Sequence, residues 1–102
     1  MVNYQKIANV SDLKPGNAMT VELNGEAIAL YNLNGDYYAT VNTCPHKGGP
    51  LGDGSIEQDV VVCPWHGWKF NVKTGISPVA STVKIKTYSV KVEGEDILIE
   101  VD

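Results

Sequence analysis

Ala18-Met19-Thr20-Val21-Glu22-Leu23-Asn24-Gly25-Glu26-Ala27-Ile28-Ala29-Leu30-Tyr31 reads as a strand, a two-residue turn and a partner strand. Asn and Gly accept the positive φ angles that a tight hairpin turn demands, so Asn24-Gly25 between two β-favouring runs predicts a hairpin. Asn34-Gly35 repeats the device and leads into Asp36-Tyr37-Tyr38-Ala39-Thr40-Val41, which makes a three-stranded meander. Further along, Val60-Val61-Val62 and Lys69-Phe70-Asn71-Val72 have the same texture, the latter closed by the turn Lys73-Thr74-Gly75. Lys84 to Tyr88, Ser89 to Val92, a turn over Glu93-Gly94-Glu95-Asp96 and a last strand from Ile97 to Val101 complete the pattern. On the amino-terminal side, Ser11-Asp12-Leu13-Lys14-Pro15-Gly16 predicts one helical turn capped by Ser11 and ended by Pro15-Gly16. Long helices, internal repeats and low-complexity tracts are absent from the sequence. The expected fold is all-β, an antiparallel sandwich or partly open barrel.

The chain has 102 residues, of which 43% are hydrophobic and 20% charged, which fits one globular domain over residues 1–102 rather than a disordered or membrane protein. No apolar run approaches the roughly 20 residues of a membrane-spanning helix. The start, Met1-Val2-Asn3-Tyr4-Gln5-Lys6, lacks the basic patch and apolar stretch of a secretory signal, so the expected location is the cytoplasm. A net charge of -4 argues against nucleic acid as a partner. It is compatible with docking onto basic protein patches. Every basic residue is lysine, which removes the guanidinium fork that gives carboxylate or phosphate recognition its specificity.

The texture changes between Thr43 and Leu51, where Cys, Pro, His and Gly replace the alternation, and again from Cys63 to Trp68. Cys44-Pro45-His46 is followed, after sixteen residues, by Cys63-Pro64-Trp65-His66. Each loop offers one thiolate and one imidazole, two or three residues apart. The prolines at 45 and 64 and the glycines at 48, 49 and 67 suit tight turns that would bring each pair onto neighbouring metal atoms. Two cysteines could instead form a disulfide, but a histidine within three residues of each suits a metal site better. Zinc also accepts two Cys and two His. Zinc fingers, however, usually bring a Cys pair and a His pair, whereas here each loop mixes the two.

The pairing Cys-x-His with Cys-x-x-His resembles the signature of the Rieske iron–sulfur family, in which two Cys bind one iron and two His the other. The resemblance extends through Cys44-Pro45-His46-Lys47-Gly48-Gly49-Pro50-Leu51, Cys63-Pro64-Trp65-His66-Gly67-Trp68-Lys69-Phe70 and Lys73-Thr74-Gly75. It implies a Rieske-type β fold with two cluster-binding loops within about residues 43–80, and one [2Fe–2S] cluster held by Cys44, His46, Cys63 and His66. Neutral imidazoles make such a cluster less negative than an all-Cys one. Rieske centres accordingly span about -150 to +300 mV, against about -400 mV for plant-type ferredoxins.

Rieske proteins of quinol-oxidising complexes carry a third and fourth cysteine as a disulfide, and a Ser and a Tyr that hydrogen-bond the cluster sulfurs. This sequence has neither extra cysteine, and Trp65, Trp68 and Phe70 stand where hydroxyls are expected. The resemblance therefore implies a potential at the low end of the range. It also implies an electron carrier rather than an enzyme, similar to the ferredoxin component of bacterial aromatic-ring dioxygenases, with a flavin-containing reductase as donor and a terminal Rieske oxygenase as acceptor. The alternatives are the small subunit of an NAD(P)H-dependent nitrite reductase, partnered by its large subunit, and a binding module with no redox role. Trp65, Trp68 and Phe70 read as shielding or core residues. Pro78 resembles the proline of a loop that covers the cluster in this family, against an ordinary turn. Lys47 could steer a partner or be simply solvated.

Overall fold

The computed structural model describes residues 3–44, 49–65, 67–80 and 82–101, and nearly all of it is strand and turn. In chain order the strands are β1 (Asn3–Asn9), β2 (Ala18–Leu23), β3 (Glu26–Leu33), β4 (Asp36–Val41), β5 (Ser55–Glu57), β6 (Val60–Val62), β7 (Lys69–Asn71), β8 (Thr87–Tyr88), β9 (Val90–Glu93) and β10 (Asp96–Val101). They form three antiparallel sheets, ordered β1-β10-β9, β2-β3-β4-β8 and β5-β6-β7. The sheets do not close into a barrel, which decides between the two expected architectures in favour of layers.

The meander forms as the Asn-Gly turns require. Leu23 pairs with Glu26 and Leu33 with Asp36, leaving Asn24-Gly25 and Asn34-Gly35 as two-residue connections with positive φ throughout. β3 is longer than the sequence suggested and is buried without interruption from Ile28 to Asn32. Alternation along a strand sends neighbouring side chains to opposite faces, and both faces of β3 are covered. Ala29 and Tyr31 join Cys44, Leu51, Val61, Cys63, Phe70, Val72 and Ile85 in one core. Ile28 and Leu30 join Ala8, Leu13, Ala39, Ile97 and Ile99 in the other. The central sheet thus divides a sandwich core from a second core that contains both cysteines. Each large apolar side chain buried here contributes about 1.5–3 kcal/mol.

Several local readings are corrected. The turn near residue 11 is a 3-10 helix over Val10–Asp12 capped by Asn9, not by Ser11. Asn9 Oδ1 accepts from the amide and hydroxyl of Ser11 at 3.0 and 2.9 Å, and Asp12 Oδ2 accepts from the Asn9 amide at 3.0 Å. That reciprocal arrangement satisfies more donors than a Ser11 cap would. Only Thr87 and Tyr88 of the expected strand 84–88 pair with β4, because Lys84 is engaged instead in a bridge to Ile76. β1 and β5 were not expected. β1 is an edge strand with a register shift between Lys6 and Ala8, and β5 has three residues, so neither carries a clean period of two.

Candidate metal centre

Both cysteine loops are closed at the base in the same way. The Cys44 amide donates to the Gly49 carbonyl at 2.9 Å, and the Cys63 amide donates to the Trp68 carbonyl at 2.7 Å. In each case the acceptor lies five residues beyond the cysteine. The first loop leaves β4 and is flanked by a Thr43–Pro50 bridge; the second connects β6 to β7, where Val62 pairs with Lys69. Ladder pairs therefore set where each loop begins and ends.

The exit of the first loop is fixed by Asn42. Its Oδ1 accepts from the Gly52 amide at 2.7 Å and the Thr20 hydroxyl at 3.2 Å, while its carbonyl accepts from the Leu51 amide at 2.7 Å. A Cβ on Gly52 would stand 2.1 Å from Thr20 Oγ1, so only glycine lets the chain pass this close to β2. Sequence reasoning missed this clamp. Its one available signal was a polar residue, Asn42, at a strand end two positions before a candidate ligand.

The two loops bring Cys44 and Cys63 together. Both are free thiols and almost wholly buried, at 1% and 2% exposure. They interact directly. Burial pushes the Cys63 thiol up; the Trp65 amide directed at its sulfur opposes that, and the Cys44 thiol beside it adds to the rise. A Cβ built on Gly49 would lie 2.8 Å from Cys63 Sγ and 3.0 Å from Trp65 Cγ, so the backbone of the first loop packs directly on the thiol of the second. His46 and His66, with Pro45, Lys47 and Gly48, lie outside the described residues. The aromatic trio separates by role: Phe70 is wholly buried in the cysteine core, Trp68 stacks on it with ring centroids 6.3 Å apart, and Trp65 is 48% exposed. Pro78 lies in an exposed bend.

Comparison with known proteins shows what kind of centre this fold serves. Residues 3–89 match the model of the Rieske [2Fe-2S] domain. The chain belongs to the Rieske family. Over 98 residues this Rieske protein is 38% identical to the ferredoxin component of biphenyl 2,3-dioxygenase from Rhodococcus jostii strain RHA1, covering 95% of this chain and 92% of that one. Its fold matches a structure of the complex of reduced oxygenase and oxidized ferredoxin in carbazole 1,9a-dioxygenase, with a TM-score of 0.85 and 33% identity over 94% of this chain and 91% of the matched one. A chain provisionally assigned as an NADPH nitrite reductase small subunit matches with a TM-score of 0.84 but 24% identity, over 95% and 97% of the two chains, which is a likeness of fold alone.

As a Rieske protein the chain carries a single [2Fe–2S] cluster. The described residues fit that group: two apposed buried thiols with no disulfide between them, and a backbone amide aimed at one sulfur, are what thiolate ligation of iron uses. The named relatives are electron carriers within dioxygenase systems, and the chain is read as a carrier rather than a catalyst.

Proposed function

We propose that this protein is a soluble, cytoplasmic one-electron relay whose cluster is held by Cys44 and Cys63 on one iron and His46 and His66 on the other. The observation that carries the ligand assignment is the meeting of Cys44 and Cys63, from loops with matched closures, in one buried core of the fold. These are the chain's only cysteines, and the sequence places its only two histidines in the same loops. When bound, the cluster supplies a one-electron redox couple; the polypeptide sets its ligands, its hydrogen bonds and its exposure.

The relatives support the acceptor, and the donor is the one the family resemblance implies. A flavin-containing reductase would load the electron and a terminal Rieske oxygenase would take it, in keeping with the oxygenase–ferredoxin complex among the structural matches. Likeness to the nitrite reductase small subunit stops at the fold, so the carrier reading is preferred. The second loop offers no side-chain hydroxyl to the cluster, and a potential in the lower part of the Rieske range is expected.

The following measurements test this reading. Purified anaerobically, the protein should contain iron and sulfide and, once reduced, give the low average g value of a Rieske centre. Cys44→Ser, Cys63→Ser, His46→Ala and His66→Ala should each abolish that signal. Mixed with an oxidised terminal oxygenase of the biphenyl or carbazole type, the reduced protein should be reoxidised; copurification with a large sirohaem-containing chain would point to the nitrite reductase reading instead. A midpoint well above +100 mV, roughly the middle of the range, would contradict the low-potential assignment.

A further inference from the structure

Gly75 to Ile85 forms a narrow two-armed loop. Ile85 donates to the Gly75 carbonyl at 2.8 Å, Ile76 bridges to Lys84, the Ser77 amide donates to the Val83 carbonyl at 3.0 Å, and the Val83 amide donates to the Ala80 carbonyl at 2.8 Å. Paired arms of this kind alternate their side chains between two faces. Ile76 and Lys84 are exposed, whereas Gly75, Ser77 and Ile85 are buried. The inner face is identified by its contacts: Ile85 belongs to the core that contains Cys44, Cys63 and Phe70, and Val83 packs against that core.

Ser77 lies on this inner face at 0% exposure, and no described residue offers its Oγ a partner. An unpaired buried hydroxyl is costly and uncommon, so it calls for a partner from outside the polypeptide. A hydroxyl has one proton to donate. The group this fold carries in the same core presents sulfur acceptors, which become more negative on reduction.

We infer that Ser77 Oγ donates a hydrogen bond to a sulfur of the [2Fe–2S] cluster and thereby favours its reduced state. The inference rests on the ligand assignment above. It also locates a hydroxyl donor outside the second cysteine loop, on the arm of a neighbouring loop. A donor to the sulfur stabilises the more negative state more, so its removal makes reduction harder.

The test is voltammetry on the holoprotein. Ser77→Ala should lower the equilibrium constant for one-electron reduction about tenfold, a fall of about 59 mV. Ser77→Val should fall with it, and Ser77→Thr, which matches Val in shape but keeps a hydroxyl, should stay within about threefold of the parent. The Thr and Val pair carries the comparison if the Ala variant does not retain its cluster. A second readout is resonance Raman: transfer into D2O should shift the Fe–S stretching bands of the parent more than those of Ser77→Ala. Unchanged potentials in both Ala and Val variants would overturn the inference and assign the hydroxyl to a buried water. A Thr variant that falls with Val would overturn it too, since shape would then set the shift. Absence of iron, sulfide and the Rieske signal from the parent protein would instead remove the cluster assignment itself.

Discussion

Gly49 shows how little slack the centre has. Its missing Cβ would sit 2.8 Å from Cys63 Sγ, closer than Cβ atoms come, and 3.1 Å from Trp65 Cβ, a tight contact. Gly49→Ala must therefore displace a thiol or separate the loops, and overpacking of this kind costs about 1–3 kcal/mol. The expected outcome is lowered iron and sulfide content per chain, checked by elemental analysis beside the EPR intensity; full loading with an unchanged spectrum would refute the close packing.

Tyr31 makes a different residue-scale prediction. Its ring is wholly buried, its hydroxyl lies 2.9 Å from Thr40 Oγ1, and Thr40 Oγ1 donates onward to the Val41 carbonyl, so the phenol is the donor of the pair. Burial raises its pKa well above the ordinary tyrosine range. A raised folded pKa means that the neutral phenol is favoured by folding. That contribution is complete below the unfolded value of about 10 and is lost as pH climbs towards the folded one. Tyr31→Phe should therefore flatten the alkaline loss of stability, measured as denaturation midpoints between pH 9 and pH 11.

At the scale of elements, loops are fastened to strands by single polar side chains. Asn32 on β3 is the fullest case. Its Nδ2 donates to the Leu13 carbonyl at 2.9 Å and its Oδ1 accepts from the Gly35 amide at 2.7 Å, while its backbone exchanges bonds with Asn17 and Gly16. Asn32→Ala leaves a buried carbonyl and an amide without partners, and should cost about 2–3 kcal/mol in chemical denaturation. The same scale shows what the sequence could reveal. The Asn-Gly turns were legible because few residues accept positive φ in succession, and Cys44 and Cys63 were legible because paired ligand spacings are rare. The 3-10 cap was misplaced because Asn9 and Ser11 are both capable caps two residues apart, and only the reach of Asp12 back to the Asn9 amide separates them. Lys84-Ile85-Lys86 alternates like a strand, yet Lys84 and Ile85 pair with a loop arm while the Lys86 carbonyl accepts from Val41, and such a choice depends on contacts distant in sequence. Gly52 and Ser77 had no local signature, and Asn42 had only its place at a strand end, since their roles arise from segments distant in the chain.

For the molecule as a whole, the two cores should respond differently to loss of the cluster. One contains both thiols and is built largely from short strands and loops; the other is closed by β1 and β10, which pair from Asn3↔Val101 to Asn9↔Asp96. Removing iron by acid and chelator leaves the apposed thiols without a bridging group. Hydrogen exchange should then rise at Cys44, Val61 and Cys63, while Ile28, Leu30, Ile97 and Ile99 stay protected. Uniform loss of protection would show instead that the two halves unfold together.

β3 is the wall those halves share, and its alternation gives protein engineers two separate alphabets on one strand. Positions 28 and 30 can be rewritten to adjust heat tolerance on one side, and positions 29 and 31 to reshape the redox compartment on the other. A library that varies only even or only odd residues of this strand would explore one property while holding the second nearly constant.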